Sequence, residues 1–101
     1  ATLPPAYRDL ATLRRVLVAG ADMTLADRRS ALQGIAGPGR PYRALAEEHL
    51  AYLLVEEGKT DEAIAAMLVL VQDQEASGAL RARVSQMVTA LGGTLPEASA
   101  G

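Results

Sequence analysis

Very few side chains in this 101-residue chain could carry covalent chemistry. His49 is the only histidine, and there is no cysteine. Any nucleophile–imidazole pair would have to use His49, and a general base must lie within hydrogen-bond reach of the group it activates. His49 falls in the middle of a helical stretch among Leu and Ala. Its neighbour Glu48 points to another helix face. A packing or groove role is therefore expected for it rather than catalysis. The missing cysteines exclude disulfides and thiolate metal sites. No HExxH, EF-hand or paired metal spacing occurs. Gly34 to Gly39 is glycine-rich, but it follows a helix and leads into Arg40-Pro41. A phosphate loop needs a preceding strand and a Lys-Ser/Thr ending, so this stretch reads as a turn. Glu47-Glu48 and Glu56-Glu57 are adjacent pairs, and adjacent helix residues point about 100° apart. They read as solvated faces, as do Arg14-Arg15 and Arg28-Arg29. The expectation is a chain with no catalytic residue, no metal and no cofactor: not an enzyme.

The elements around these residues are helical. Pro41 suits the first position of a helix, where its missing N–H is harmless. From Tyr42 to Glu57 nothing breaks the helix, and Leu45, Ala46, Leu50, Leu53 and Leu54 recur at helical spacing. Around Leu50 to Val55 apolar residues run nearly all the way round, so partners are expected on more than one side. Gly58 stops the helix by accepting the left-handed conformation. Thr60 is the expected N-cap of the next helix, with Asp61 and Glu62 at its positive end. Ile64, Met67, Leu68 and Val71 form its stripe, with Ala63 and Leu70 beside it. So short a turn forces an antiparallel hairpin. Ala51 and Ala63 mark a close crossing.

An earlier hairpin precedes this one. Leu3-Pro4-Pro5 starts a helix running to Ala19. Leu10, Leu13 and Leu17 form its inner stripe, widened by Tyr7, Ala11 and Val18, with Arg8, Asp9, Thr12 and Arg15 opposite. Gly20 stops it. Thr24 to Asp27 reads as a capping box. The helix it opens turns Leu25, Leu32, Ile35 and Ala36 inward and Arg28 and Arg29 outward, and Gly37-Pro38-Gly39 ends it. Tyr7-Arg8-x-Leu10-Ala11 recurs as Tyr42-Arg43-x-Leu45-Ala46, 35 residues on. After Ala76, Ser77 caps a fifth helix with a one-sided stripe of Leu80, Val84, Met87, Val88 and Leu91. Gly92-Gly93 ends it, and residues 94–101 read as a disordered tail.

Composition agrees with close helix packing. Half the residues are hydrophobic but only 3% are aromatic, so Leu, Val, Ala, Ile and Met must build the core. β-Branched alternation is scarce, which argues against a sheet. No apolar run is long enough to span a bilayer, and no signal peptide is visible. The chain starts at Ala1 and enters a helix almost at once, so it reads as a piece of a longer protein. Net charge is −2 but unevenly spread: residues 1–43 carry seven Arg against three Asp, and the remainder nine acids against three bases. Either the two halves attract one another within the fold, or the surface is bipolar and orients a partner. Neither half is basic enough, or aromatic enough, for nucleic acid.

The second hairpin resembles a tetratricopeptide repeat. Leu50-Ala51, then Leu54, Gly58 and Ala63 stand where that family places its signature residues, with Met67 where an aromatic is frequent. Leu70 departs from the alanine usual there, and no proline closes the unit. The resemblance implies an all-α fold, with antiparallel hairpins stacked as a right-handed α–α superhelix of about five helices over residues 1–93. It also implies a concave groove lined by Leu45, Glu48, Tyr52, Val55 and Glu56, with Tyr52 as the large amphipathic contact. Taken whole, Tyr7-Arg8-Asp9-Leu10-Ala11 through Arg15, Gly39 to Ala46 and Glu57 to Ala63 resemble the C-terminal part of bacterial YfgM-type proteins. Those are ancillary subunits of the SecYEG translocon. This second resemblance implies a non-enzymatic protein-interaction domain on the periplasmic side of the inner membrane, held by an anchor outside this stretch. Its expected partners are the translocon or a periplasmic chaperone, with a cytoplasmic setting as the alternative. The competing reading is a helical oligomerisation module of a larger protein.

Overall fold

The computed structural model describes residues 4–96. They form five helices: α1 (Pro5–Ala19), α2 (Leu25–Ile35), α3 (Arg43–Glu56), α4 (Thr60–Val71) and α5 (Gly78–Ala90), with a 3₁₀ turn at Gly20–Asp22. There is no strand among the described residues. Each helix packs chiefly on the next in the chain. The fold is therefore all-α: two antiparallel hairpins, α1–α2 and α3–α4, stacked side by side and closed by α5.

The turns follow from local chemistry. Gly58 adopts φ +78°, and its N–H and that of Lys59 close on the carbonyls of Val55 and Leu54. Gly92 repeats the arrangement at φ +88°, with bonds from Gly92 and Gly93 to Thr89 and Val88. Both are glycine-terminated helix ends whose last carbonyls are satisfied by the reversing chain. The Thr24 hydroxyl accepts a hydrogen bond from the Asp27 N–H at 3.0 Å, and the Ser77 hydroxyl accepts one from Leu80 at 3.1 Å. Both caps were expected.

Two buried clusters share α3 as a common wall. One joins Ala51, Ala63, Met67, Leu70, Ala76, Leu80, Val84 and Val88 from α3, α4, α5 and the α4–α5 connection. The other joins Leu13, Val16, Leu32, Ile35, Ala46 and Leu53 from α1, α2 and α3. Ala51 and Ala63 are almost wholly buried, as a close crossing requires. A helix apolar nearly all round, such as α3, is the one that can serve both sides.

Several expectations need correction. Helix α3 begins at Arg43, not Pro41. Pro41 lies in the preceding turn, and the Tyr42 carbonyl accepts the first helical bond from Ala46. Thr60 is the first residue of α4 rather than its cap; Lys59 holds that position and no side chain caps it. Helix α1 is rotated from the expected face. Asp9, Leu13 and Val16 point inward, while Tyr7, Leu17 and Val18 are exposed. The inward turn of Asp9 is stabilised by Arg40, whose guanidinium donates at 2.9 and 2.6 Å. Arg28 is also buried instead of pointing outward, because Glu56 receives it. The expected tail lies partly outside the described residues. Of it, residues 94–96 are non-helical, and Leu95 packs against the α3–α5 cluster.

Part of the uneven charge is consumed inside the fold. Arg28 pairs with Glu56, Arg29 with Glu57, and Arg43 with Asp73 and Glu75. Each pair joins the basic first part of the chain to the acidic remainder. The attraction between halves is thus realised as specific bridges between helices.

Candidate functional site

Helices α1, α3 and α5 contribute neighbouring side chains to one face of the stack, and Tyr52 stands at its centre. Tyr52 is half-buried and is shared by two cavities. One, about 120 Å³, is lined by Leu17 and Gly20 on the α1 side, Arg28 and Leu32 on α2, and His49, Tyr52 and Glu56 on α3. The other, about 320 Å³, lies between Tyr52 and Arg83, Gln86, Met87 and Ala90 of α5. Tyr52 therefore forms a ridge between two depressions. The His49 ring meets it edge-on, with centroids 5.4 Å apart.

Beneath the ridge lies a buried carboxylate. Glu48 is 2% exposed, although it was expected on a solvated face. The face is closed over it by Arg83, which donates from Nε at 3.1 Å to Oε2 and from a terminal nitrogen at 2.9 Å to Oε1. The Tyr52 hydroxyl donates to the same Oε2. Burial works against the charge on Glu48, but the hydrogen bonds from Arg83 and Tyr52 and the Arg83 charge more than offset it. Its pKa is held below the usual carboxylate value. Burial and the hydrogen bond to Glu48 push the Tyr52 hydroxyl up to about 12, so it stays a donor at any ordinary pH. Burial depresses the pKa of His49, with the Glu48 charge opposing and the Arg83 charge assisting. At the far end of α3, Arg28 donates to both oxygens of Glu56 at 2.8 and 3.0 Å. That hydrogen bonding holds the Glu56 carboxyl below its ordinary range despite some burial.

The five candidate groove residues are thus divided. Glu48, Tyr52 and Glu56 come together on this face. Leu45 and Val55 are partly buried and serve packing, Leu45 against both clusters and Val55 against the one with α4 and α5. Arg28, Arg83, Gln86 and Met87 complete the face, and the sequence reading did not nominate them. One signal for the first two was available: an acid on a helix that is apolar almost all round needs a cationic partner.

Glu48 and Glu56 are saturated by arginines. Among the described residues no side chain forms a hydrogen bond with the His49 ring, and no group of three His, Asp or Glu could hold a metal. No described helix is long and apolar enough to cross a membrane. Comparison with known protein families, curated proteins and solved structures finds no match.

Proposed function

We propose that this chain is a non-enzymatic protein-interaction domain that presents its α1–α3–α5 face to a partner polypeptide. The observation that carries the reading is the Tyr52 ridge. A large amphipathic side chain, with its ring position set by His49 and its hydroxyl tied to Glu48, separates two cavities of side-chain size. Pre-ordered aromatic side chains lose little entropy on binding and are frequent anchors of interfaces. The arginine–carboxylate pairs on either side hold α3 to α2 and α5, so the ridge needs no rearrangement to bind.

The resemblance to tetratricopeptide repeats and to YfgM-type translocon subunits extends this reading. On that basis the partner is export machinery, a periplasmic chaperone or an unfolded secretory chain, met on the periplasmic side of a bacterial inner membrane. Photo-crosslinking from position 52 in native cells, with mass spectrometry of the adducts, tests it. Adducts to export or chaperone proteins would support it. Absence of any adduct other than the chain itself would overturn it.

A further inference from the structure

The outer face of α1 carries a second surface, independent of the groove. Tyr7, Ala11, Arg14 and Val18 follow one another at spacings of four, three and four residues, which places them in one line opposite the buried Asp9–Leu13–Val16 edge. Tyr7 is 63% exposed and Val18 87%. Arg8 and Arg15 flank the line on one side, Leu10 and Leu17 on the other. Among the described residues no carboxylate lies within ion-pair distance of Arg8, Arg14 or Arg15, although the other arginines of the N-terminal part are all paired. A line of Tyr7, Ala11 and Val18 that carries Arg14 and is bordered by Arg8 and Arg15, all three arginines unpaired, fits an acidic, apolar-lined helix.

The chain itself displays such a helix face. Along α4 and its C-cap residue, Asp61, Ala65, Leu68 and Gln72 repeat the same spacing opposite the buried Ala63–Met67–Leu70 edge. Glu62 and Val69 flank it, and Val69 is 67% exposed. Asp61 and Glu62 have no ion-pair partner among the described residues. We propose that the outer face of α1 docks on the outer face of α4 of a second copy, antiparallel, with Ala11 crossing Ala65. In that register Arg14 and Arg15, three and four residues beyond Ala11, lie against Asp61 and Glu62, four and three residues before Ala65. On the other side of the crossing Tyr7 meets Leu68 and Val69. Both displacements are about 4.5–6 Å along the helix axis at 1.5 Å per residue. The contact is heterologous, α1 of one copy on α4 of the next.

Sedimentation equilibrium of the 101-residue chain, from micromolar to millimolar concentration, reads the contact directly. The expected result is a weight-average mass that rises with concentration and falls back when salt screens the exposed charges. The double variants Arg14→Glu/Arg15→Glu and Asp61→Arg/Glu62→Arg should each associate about tenfold more weakly or not at all, through like-charge contact. Mixed together, they should associate again, because each then supplies the charge that the other's reversed face requires. Circular dichroism checks that both variants stay helical; their altered side chains are all exposed. Tyr52→Ala should leave self-association unchanged, which separates this surface from the groove. A monomer at every concentration overturns the proposal and assigns the α1 face to another partner. Association that ignores the reversed charges, or that the mixture fails to restore, overturns it equally.

Discussion

Replacing Arg83 with leucine would leave the Glu48 carboxylate buried without its counter-charge. The loss can be bounded from the geometry. Removing one partner of a fully buried ion pair costs about 3–5 kcal/mol, because the other charge stays behind. Here the Arg83 side chain is half exposed while Glu48 is not, so water can partly replace the guanidinium. A cost of about 2–3 kcal/mol follows once that screening is allowed for. Domains of this size have a total stability of about 5–15 kcal/mol, and each kcal/mol moves the midpoint by about 4–8 °C, so the melting temperature should fall by roughly 10–20 °C. Urea and thermal melts followed by circular dichroism would measure it. A double-mutant cycle with Glu48→Leu identifies the cause, because removing both groups should restore much of what Arg83→Leu loses. The pH dependence supplies a second check. Glu48 has a depressed pKa in the native chain, so its stabilisation is present above the unfolded value of 4.5 and is lost as pH falls through the lower folded value. Without Arg83, only the Tyr52 hydrogen bond and the His49 charge still oppose burial, so the Glu48 pKa should rise and the gap between variant and native chain should close on acidification. Loss below about 0.5 kcal/mol, or single-variant effects that simply add, would refute the reasoning.

Three further outcomes are expected. Gly58→Ala and Gly92→Ala place a Cβ at φ +78° and +88° and should each destabilise by about 1–2 kcal/mol in urea melts, whereas Gly34→Ala, helical and with no atom near its built Cβ, should stabilise by about 0.5–1 kcal/mol. His49 has a depressed folded pKa, so its neutral form stabilises the fold above the unfolded value of 6.5. That contribution should decline as pH falls below 6.5, and melting temperatures of native chain and His49→Gln between pH 7.5 and 5 would show whether the slope disappears with the ring. In a Tyr7→Phe/Tyr42→Phe variant the single remaining tyrosine should ionise near pH 12 by absorbance at 295 nm; ionisation near 10 in the folded chain would contradict the Glu48 contact.

The second hairpin was legible because its signals are local. Gly58 punctuates a short turn, and the alanines and leucines around it repeat at helical spacing. The fifth helix was legible for the same reason, since Ser77, Gly92 and the Leu80–Val84–Val88 stripe lie on one element. Helix α1 was misread because apolar residues occur on most of its faces, so periodicity alone does not fix which edge turns inward. What settles it is Asp9 against Arg40, a pairing across 31 residues of chain. Glu48 with Arg83, 35 residues apart, and Arg28 with Glu56, 28 apart, are hidden in the same way. A charged residue looks solvated from its neighbours in sequence, and only tertiary structure brings its partner. The surroundings of Tyr52 were hidden for the same reason: Glu48 and Glu56 look like solvated charges in the sequence, whereas arginines hold them in the fold.

The sharing of α3 between two clusters sets how the molecule yields to force or to heat. Neither cluster needs the outermost helix of the other, so α1 with α2 and α5 with α4 can loosen separately, like the two leaves of a hinge whose pin is α3. Tyr52 is mounted on that pin. Opening either leaf would widen one of its flanking cavities and leave the other unchanged, while the ridge between them keeps its place.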